Sequence, residues 1–119
     1  MKILLVDDNT KFRSYVKKLL YRKVDNLENV FECGDGGTAV DLYPSLQPDW
    51  VVMDIMLPIL DGLKATRMIL EKDPAAKVII LTQYNDSVYR EEAREIGARD
   101  FLLKENLNDI LKTIGSLNN

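Results

Sequence analysis

Short aliphatic runs alternate along the chain with longer segments in which apolar residues recur every three or four positions. The run from Ile3 to Val6 contains no polar residue, which is typical of a strand buried on both faces. Similar runs follow it at regular intervals. Together they predict five strands, at residues 2–6, 29–33, 50–54, 77–81 and 100–103.

Helices are predicted in the segments that separate and follow the strands. The third and fourth helices are expected at about 61–71 and 87–96. Pro44 and Pro48 are expected to bracket the end of the second helix, and Gly97 to end the fourth. Asn106 is the expected N-cap of the fifth helix. The apolar stripes of the first, second and fifth helices are, in order, Phe12, Tyr15, Val16, Leu19 and Leu20; Ala39, Leu42, Tyr43 and Leu46; and Leu107, Ile110, Leu111, Ile114 and Leu117.

Strict alternation of strand and helix predicts an α/β fold, a doubly wound parallel sheet with helices on both faces and right-handed crossovers. The 119 residues fit one domain, because no segment rich in proline, glycine or serine divides them. We therefore expect residues 1–119 to form a single domain.

Composition places the chain among ordinary globular proteins, with 46% apolar and 29% charged residues. No apolar run approaches the ~20 residues of a membrane span, and the first residues lack the cleavage site of a signal peptide. A net charge of −3 disfavours binding of nucleic acid by this domain, since such binding requires a basic face. We expect a cytoplasmic protein that contacts no membrane.

Histidine is absent from the sequence, and Cys33 is the single cysteine. The absence of histidine excludes zinc sites built on imidazole, Ser-His-Asp and Cys-His nucleophile systems, and a phosphate carried on histidine. Cys33 has no partner for an internal disulfide, and its position at the end of a predicted strand suits a small buried side chain. Chemistry in this chain must therefore use carboxylates.

Charged and polar residues follow the predicted strands at one edge of the sheet. Asp7 and Asp8 end the first strand, Asp54 ends the third, Thr82 follows the fourth, and Lys104 follows the fifth. In an open parallel sheet, ligands bind outside the carboxyl ends of the strands. If strands one, three, four and five are neighbours, these five side chains converge on one cleft.

Each of these residues has a simpler interpretation, as a helix cap, a loop carboxylate, a strand-end threonine or a solvated lysine. These simpler interpretations do not account for three carboxylates in one crevice. Two like charges ~4 Å apart repel by about 4 kcal/mol at an effective dielectric constant of 20. A cation must be present, and an all-oxygen site suits Mg²⁺ or Mn²⁺. One divalent ion and Lys104 balance the three negative charges. Such a site suits phosphoryl transfer to a carboxylate.

Four stretches make the sequence recognisable: "ILLVDDN", "PDWVVMDIMLPILDGL", "VIILTQYND" and "GARDFLLKENL". In this order they resemble the receiver domain of two-component response regulators over essentially the whole chain. The resemblance implies a flavodoxin-like fold with five helices and five parallel strands in the order 2-1-3-4-5. It also implies a signalling domain and not an enzyme, although such a domain assists its own phosphorylation and dephosphorylation.

By this resemblance, Asp54 is the phospho-acceptor. Asp7 and Asp8 bind Mg²⁺ together with Asp54 and the backbone carbonyl of Met56. The phosphoryl group comes from the phosphohistidine of a partner sensor histidine kinase, which agrees with a chain that has no histidine of its own. Small phosphodonors such as acetyl phosphate often substitute for the kinase.

The resemblance also implies a switch around the acceptor. Thr82 hydrogen-bonds the phosphoryl group, Lys104 pairs with it, and Thr82 is coupled to Phe101, an aromatic residue on the fifth strand that lacks a tyrosine's hydroxyl. Core packing is the simpler interpretation of Phe101, and it is compatible with the switch.

The output surface implied by the resemblance comprises the fourth helix, the fifth strand and the fifth helix, and a homodimer on phosphorylation is an expected consequence. Tyr89, Arg90 and Arg94 are the candidate exposed contacts, although a solvated face is the simpler interpretation of each of them. Lys104 is followed by Glu105 where many receivers have proline. This variant resembles receivers that precede a C-terminal helix-turn-helix, so we expect a DNA-binding effector domain and control of transcription.

Two positions tune the lifetime of the phosphate in such receivers, two residues beyond the acceptor and two beyond the threonine. Here these positions hold Met56 and Tyr84. Both side chains are bulky and guide water poorly, so we expect slow autodephosphorylation.

Rival functions fit the residues less well. A phosphatase of the haloacid dehalogenase type needs a second aspartate where Met56 stands. A flavin carrier of flavodoxin type needs an anion-binding loop after the first strand, where "VDDNTKF" would repel a flavin phosphate. A dinucleotide-binding domain would show Gly-x-Gly-x-x-Gly after a strand, which the sequence lacks. A receiver-like module that signals through contacts without phosphorylation stays open as the alternative.

Overall fold

The structure, a computed structural model, describes residues 1–115. Its strands form one parallel sheet in the order β2-β1-β3-β4-β5, which confirms the predicted fold class and strand order. The strands are β1 (Lys2–Val6), β2 (Asn29–Cys33), β3 (Trp50–Met53), β4 (Val78–Thr82) and β5 (Asp100–Leu103). The helices are α1 (Thr10–Lys23), α2 (Gly36–Leu46), α3 (Gly62–Lys72), α4 (Ser87–Ile96) and α5 (Asp109–Gly115), with a 3₁₀ turn at Lys104–Asn106.

The central strands are buried on both faces, as their aliphatic sequences require. Successive side chains of β1 point to opposite sides of the sheet, because the side-chain period of a strand is two. Leu4 and Val6 pack with α2, α3 and α4, whereas Ile3 and Leu5 pack with α1 and α5. The helices thus cover both faces of the sheet, and burial is complete only along its central strands.

Strand register aligns the carboxyl ends of the strands. Val6 pairs with Met53, so Asp7 and Asp54 follow paired residues on neighbouring strands. Thr82, the last residue of β4, pairs with Leu103, and Lys104 comes next. The register therefore brings the predicted site residues to one edge of the sheet.

Side-chain caps fix where the helices of this edge begin. Asn9, Asp35, Asp61 and Asp86 each accept hydrogen bonds from backbone N–H groups in the first turn of α1, α2, α3 and α4. Such caps satisfy donors that have no partner inside the helix. Gly97 ends α4 with φ 98°, a left-handed conformation that glycine adopts without strain, as the sequence predicted.

α2 ends at Leu46, between Pro44 and Pro48 as the sequence predicted, and a left-handed Gln47 follows it. The start of α5 differs from the sequence prediction. Asn106 is not the cap of α5, because it closes the 3₁₀ turn and α5 begins at Asp109. Here the chain turns tightly as it leaves the sheet edge, and one short turn precedes the helix. Leu117, predicted on the α5 stripe, lies outside the described residues.

Tyr15 is 61% exposed and does not belong to the buried stripe of α1. Val16 and Leu20 form the buried face. Adjacent residues of a helix differ by about 100° around its axis, so Tyr15 points to the side of that narrow face. Within residues 1–115, no helix is both long and apolar enough to cross a membrane.

Candidate functional site

Three carboxylates meet at the carboxyl edge of the sheet, as the sequence predicted. Asp7, Asp8 and Asp54 each place one oxygen atom within 4.8 Å of the others. Asp7 is 2% and Asp54 7% exposed, whereas Asp8 lies at the surface. The cluster is therefore buried on the sheet side and open to solvent beside Asp8.

Local backbone groups hold the two buried carboxylates. Oδ1 of Asp7 accepts a hydrogen bond from Asn9 N at 2.8 Å, and Oδ1 of Asp54 accepts one from Ile55 N at 2.8 Å. Asp54 N donates to Val6 O at 3.0 Å, which ties the start of the β3–α3 loop to β1. Each carboxylate thus has one oxygen tied to the backbone of its own loop, and its second oxygen faces Lys104.

Lys104 bridges the two buried carboxylates. Its Nζ atom lies 2.7 Å from Oδ2 of Asp7 and 3.1 Å from Oδ2 of Asp54, and 4.4 Å from the centroid of the Phe12 ring. Burial alone lowers the pKa of Lys104, but the hydrogen bonds and charges of the two carboxylates outweigh it and raise that pKa above its ordinary value. The ammonium group therefore stays charged.

The pKa of Asp54 is raised above its ordinary value. Burial is the main cause, and the negative charge of Asp7 adds to it, while Lys104 and the Ile55 N–H act in the opposite direction. A single ammonium neighbour therefore does not fully offset the cost of burying the ionised carboxylate. With all three carboxylates ionised, the cluster and Lys104 together carry two negative charges, which matches one divalent cation.

The donor set fits a hard cation. Carboxylate oxygens are the ligands that Mg²⁺ and Mn²⁺ prefer, and the exposed Asp8 leaves a side open for water ligands. Met56, the predicted source of a backbone ligand, lies two residues beyond Asp54, and its side chain is exposed. The residues present are therefore suited to hold Mg²⁺.

Two glycines let the β3–α3 loop pack tightly around Asp54, and neither was assigned to the site from the sequence. A Cβ atom on Gly62 would lie 1.7 Å from the carbonyl oxygen of Asp54, and one on Gly36 would lie 2.0 Å from that of Leu60. Gly62 N also donates to Ile55 O at 2.8 Å. Between these anchors, Ile59 is exposed and has φ 70°, a strained conformation for a β-branched residue. The loop that carries Asp54 is thus held in a fixed shape.

Thr82 is completely buried at the end of β4. Its Oγ1 atom accepts a hydrogen bond from Tyr84 N at 3.2 Å. The side chain of Tyr84 is exposed. The threonine hydroxyl thus ties the first residues of the β4–α4 loop to the sheet.

Phe101 of the predicted switch lies on β5, and the predicted output residues lie on the neighbouring α4. Phe101 is 8% exposed, and the guanidinium carbon of Arg90 lies 4.5 Å from the centroid of its ring. Tyr89 is half-buried and packs against the core, contrary to its predicted exposure, because it lies on the sheet side of α4. Arg94 is exposed and pairs with Glu91 on the same helix. Arg90 and Arg94, but not Tyr89, are therefore surface side chains.

Cys33 ends β2 beside the cluster but offers no reactive thiolate. Its carbonyl oxygen accepts a hydrogen bond from Asp7 N at 3.1 Å. Burial raises the pKa of its thiol to about 11, so the thiol is neutral at pH 7. This agrees with the structural role that the sequence suggested.

Two further residues of α1 reach the site and were not singled out from the sequence. Phe12, counted there as a core residue, lies under the ammonium group of Lys104. Arg13 donates from Nη1 to the carbonyl oxygen of Asp7 and pairs through Nε with Glu32 at 3.2 Å. No sequence signal identified Arg13, because its partner at the site is a backbone atom.

The comparisons with known proteins agree with this geometry. The chain is 42% identical to protein CcdB of Bacillus subtilis over 103 residues, 87% of this chain and 84% of that protein. It is 35% identical to the transcriptional regulatory protein DegU of Brevibacillus brevis over 105 residues, which are 88% of this chain but 44% of DegU. The crystal structure of a LuxR-family two-component response regulator from an Aurantimonas species matches with a TM-score of 0.90 and 34% identity, covering 98% of this chain and 83% of the other.

The match to a known family extends over nearly the whole chain. Residues 3–115 match the family described as "Response regulator receiver domain". The strand order and the acidic edge of the sheet are those that the sequence motifs led us to expect. The chain therefore belongs to the response regulator receiver domain family.

Proposed function

We propose that this chain is the phospho-acceptor of a two-component system and that Asp54 takes up a phosphoryl group in the presence of Mg²⁺. The observation that carries the proposal is the contact of Lys104 with two buried carboxylates, at 2.7 Å from Asp7 and 3.1 Å from Asp54. With Asp8, these carboxylates leave an excess of negative charge. Such an excess favours a divalent cation, and a cation beside an ionised carboxylate favours phosphoryl transfer to it.

Asp7, Asp8 and Asp54 hold the cation, with the backbone carbonyl of Met56 as a further ligand. Mg²⁺, or Mn²⁺ in its place, supplies the positive charge that offsets the carboxylates and the oxygens of the incoming phosphoryl group. When Asp7 binds the cation, its short ion pair with Lys104 is weakened. The ammonium group is then free to pair with the phosphoryl oxygens.

In the transfer step, one carboxylate oxygen of Asp54 forms a bond to phosphorus while the bond between phosphorus and the donor breaks. The donor is the phosphohistidine of a sensor histidine kinase, and its imidazole nitrogen keeps the electron pair of the broken bond. Since these 119 residues contain no histidine, the phosphohistidine lies outside them. The product is an acyl phosphate on Asp54, held by Lys104 and by the hydroxyl of Thr82.

The acyl phosphate acts on the output surface through Thr82 and Phe101. Ile80 pairs with Phe101 in the sheet, and Thr82 lies two residues beyond Ile80, on the same face. When the hydroxyl of Thr82 turns to the phosphoryl group, it leaves its hydrogen bond with Tyr84 N and changes the packing beside Phe101. Movement of α4, β5 and α5 then alters a surface that binds an effector domain or a second copy of the chain.

The regulated output is transcription. DegU, of which this chain covers less than half, is named as a transcriptional regulatory protein, and this supports a DNA-binding effector domain as the target of the switch. The receiver itself has a net charge of −3 and is not the part that binds nucleic acid. Its place in the cell is the cytoplasm, where the kinase presents its phosphohistidine.

Intact mass spectrometry after incubation with acetyl phosphate and MgCl₂ tests the proposal. We expect an adduct of one phosphoryl group in the wild-type chain. Asp54→Asn removes the acceptor with little change in size, and EDTA removes the metal, so both should abolish the adduct. Asp41→Asn, at an exposed position on α2, is the matched control and should be phosphorylated like the wild type.

The outcome separates the two candidate functions. An adduct that forms equally well in Asp54→Asn would show that another residue is the acceptor. No adduct from acetyl phosphate or from a panel of sensor kinases would favour the module that signals through contacts alone.

A further inference from the structure

Arg13 closes the hydrogen-bond ladder of the sheet at the point where the acidic cluster begins. Asp7 N donates to Cys33 O at 3.1 Å, which is the last rung between β1 and β2. Beyond it, the chain passes through Gly34 into Asp35, whose side chain caps α2, so the ladder stops one step short of the Asp7 carbonyl. The guanidinium group of Arg13 supplies the donor at that carbonyl.

The surroundings fix the guanidinium group in this position. Nε of Arg13 lies 3.2 Å from Oε1 of Glu32 on β2, and the arginine side chain is only 17% exposed. The guanidinium group also packs beside Gly34, where a Cβ atom would lie at an ordinary contact distance of 3.4 Å from Nη1 of Arg13. Arg13 therefore spans from α1 across the end of β1 to β2.

The carbonyl that Arg13 holds belongs to the peptide unit joining two of the three clustered aspartates. The orientation of this peptide sets the position of the Asp8 Cα atom and so the direction of its carboxylate. Asp8 is the exposed member of the cluster, and its neighbour Asp7 is already fixed by Asn9 N and Lys104. The contact with Arg13 thus acts on the part of the cluster that has the fewest other restraints.

We infer that Arg13 is a positioning residue of the divalent-cation site, which holds the Asp7–Asp8 peptide so that Asp8 faces Asp7 and Asp54. This inference rests on the proposed function, because it takes the acidic cluster to be a Mg²⁺ site. Arg13 does not touch the cation. It acts as residues behind metal ligands commonly do, by orienting the groups that bind.

Lys17 offers a matched control. It also pairs with Glu32, at 3.2 Å between Nζ and Oε2, but it contacts no atom of Asp7 or Asp8 in the described part of the chain. Substitution of Lys17 by alanine therefore removes a positive charge from the same network and leaves the Asp7 carbonyl with its donor. Arg13→Lys keeps the charge at position 13 but loses the two-pronged geometry of the guanidinium group.

The experiment is a titration with MgCl₂ at constant ionic strength, followed by the amide chemical shifts of Asp7, Asp8 and Asn9 in ¹⁵N-labelled protein. We expect Arg13→Ala to raise the Kd for Mg²⁺ by about 10-fold. Arg13→Lys should recover only part of the affinity, and Lys17→Ala should keep the wild-type Kd within about twofold. Thermal unfolding in EDTA checks that each variant folds, and Arg13→Gln serves if the alanine variant does not.

Other results would overturn the inference. An unchanged Kd in Arg13→Ala would remove the positioning role. A lower Kd would show that the arginine acts on the cation by charge repulsion, and an equal loss in Lys17→Ala would assign the effect to the Glu32 network. Failure of the wild-type chain to bind Mg²⁺ would instead contradict the proposed function, so the two failures are distinguishable.

Discussion

The ammonium group of Lys104 lies closer to Asp7, at 2.7 Å, than to Asp54, at 3.1 Å. This lysine thus compensates a predicted metal ligand as well as the predicted acceptor. Under the proposed function, the cation competes with this ammonium group for Asp7.

Substitution of Lys104 by methionine should destabilise the metal-free protein by about 2–3 kcal/mol, because it leaves two buried carboxylates facing each other without their shared ammonium group. Mg²⁺ should then raise the melting temperature of Lys104→Met more than that of the wild type, in which the cation competes with Lys104 for Asp7. Thermal denaturation in EDTA and in MgCl₂ measures both effects. Equal stabilisation of the two proteins by Mg²⁺ would contradict the competition.

Asp54→Asn should make the metal-free protein more stable at pH 7. The folded state holds the pKa of Asp54 above its ordinary value of 3.8, mainly through burial, so the ionised carboxylate opposes folding. The penalty is absent below pH 3.8, grows as the pH rises toward the folded-state pKa and is then constant. The difference between the variant and the wild type should follow the same course.

Urea denaturation in EDTA across this pH range measures that difference, and Asp41→Asn is the exposed control. A wild-type protein more stable than Asp54→Asn at pH 7 would show that the ion pair with Lys104 outweighs the burial of the carboxylate.

Gly62→Ala should destabilise the protein by about 3 kcal/mol or more, because the added Cβ atom would lie 1.7 Å from the backbone oxygen of Asp54. The backbone of the β3–α3 loop must shift, and Asp54 with it. Gly37→Ala is the matched control, since its Cβ atom would meet its neighbours at ordinary contact distances of 3.4 Å and 3.5 Å. Chemical denaturation compares the two, and similar stabilities would show that the loop yields easily.

The sequence predicts the fold well because the local and overall signals agree. The aliphatic strands and the helical segments alternate without exception, and the start and end predicted for α4 match the structure. Prediction of the secondary structure is weaker where one residue type is compatible with more than one local structure. Asparagine commonly caps a helix, yet Asn106 belongs to a 3₁₀ turn.

The sequence predicts those parts of the site that are formed by residues at the ends of parallel strands. Asp7, Asp8 and Asp54 meet because strand order and register bring the ends of β1 and β3 together. Contacts made through backbone atoms were not predictable in this way. The donation by Arg13 to a carbonyl group and the close approach of Gly62 to Asp54 depend on three-dimensional packing that no sequence pattern marks.

Arg90→Ala should loosen α4. Its guanidinium group stacks on Phe101 and donates to Phe101 O at 3.4 Å and to Asn85 Oδ1 at 3.3 Å, whereas Ala93 is the single fully buried residue of the helix. Loss of about 1 kcal/mol of local stability should speed amide hydrogen exchange in α4 about fivefold.

Arg94→Ala is the control for this effect. Arg94 is exposed and pairs with Glu91 one turn away on the same helix, so its removal should change exchange little. Equal exchange rates in the two variants would show that Arg90 does not connect α4 to β5.

Phosphorylated Asp54 should lose its phosphoryl group slowly, over minutes rather than seconds, because the neighbouring positions hold no side chain that orients a water molecule. Met56 and Tyr84 are exposed and bulky, and we expect them also to obstruct the approach of water to the acceptor. Met56→Asn, whose amide group can hydrogen-bond a water molecule, should shorten the half-life. Ile59→Asn changes another exposed residue of the same loop and should leave the half-life unchanged. Intact mass measured at intervals after removal of acetyl phosphate gives the decay. A wild-type half-life of seconds would show that water reaches the acyl phosphate despite these two side chains.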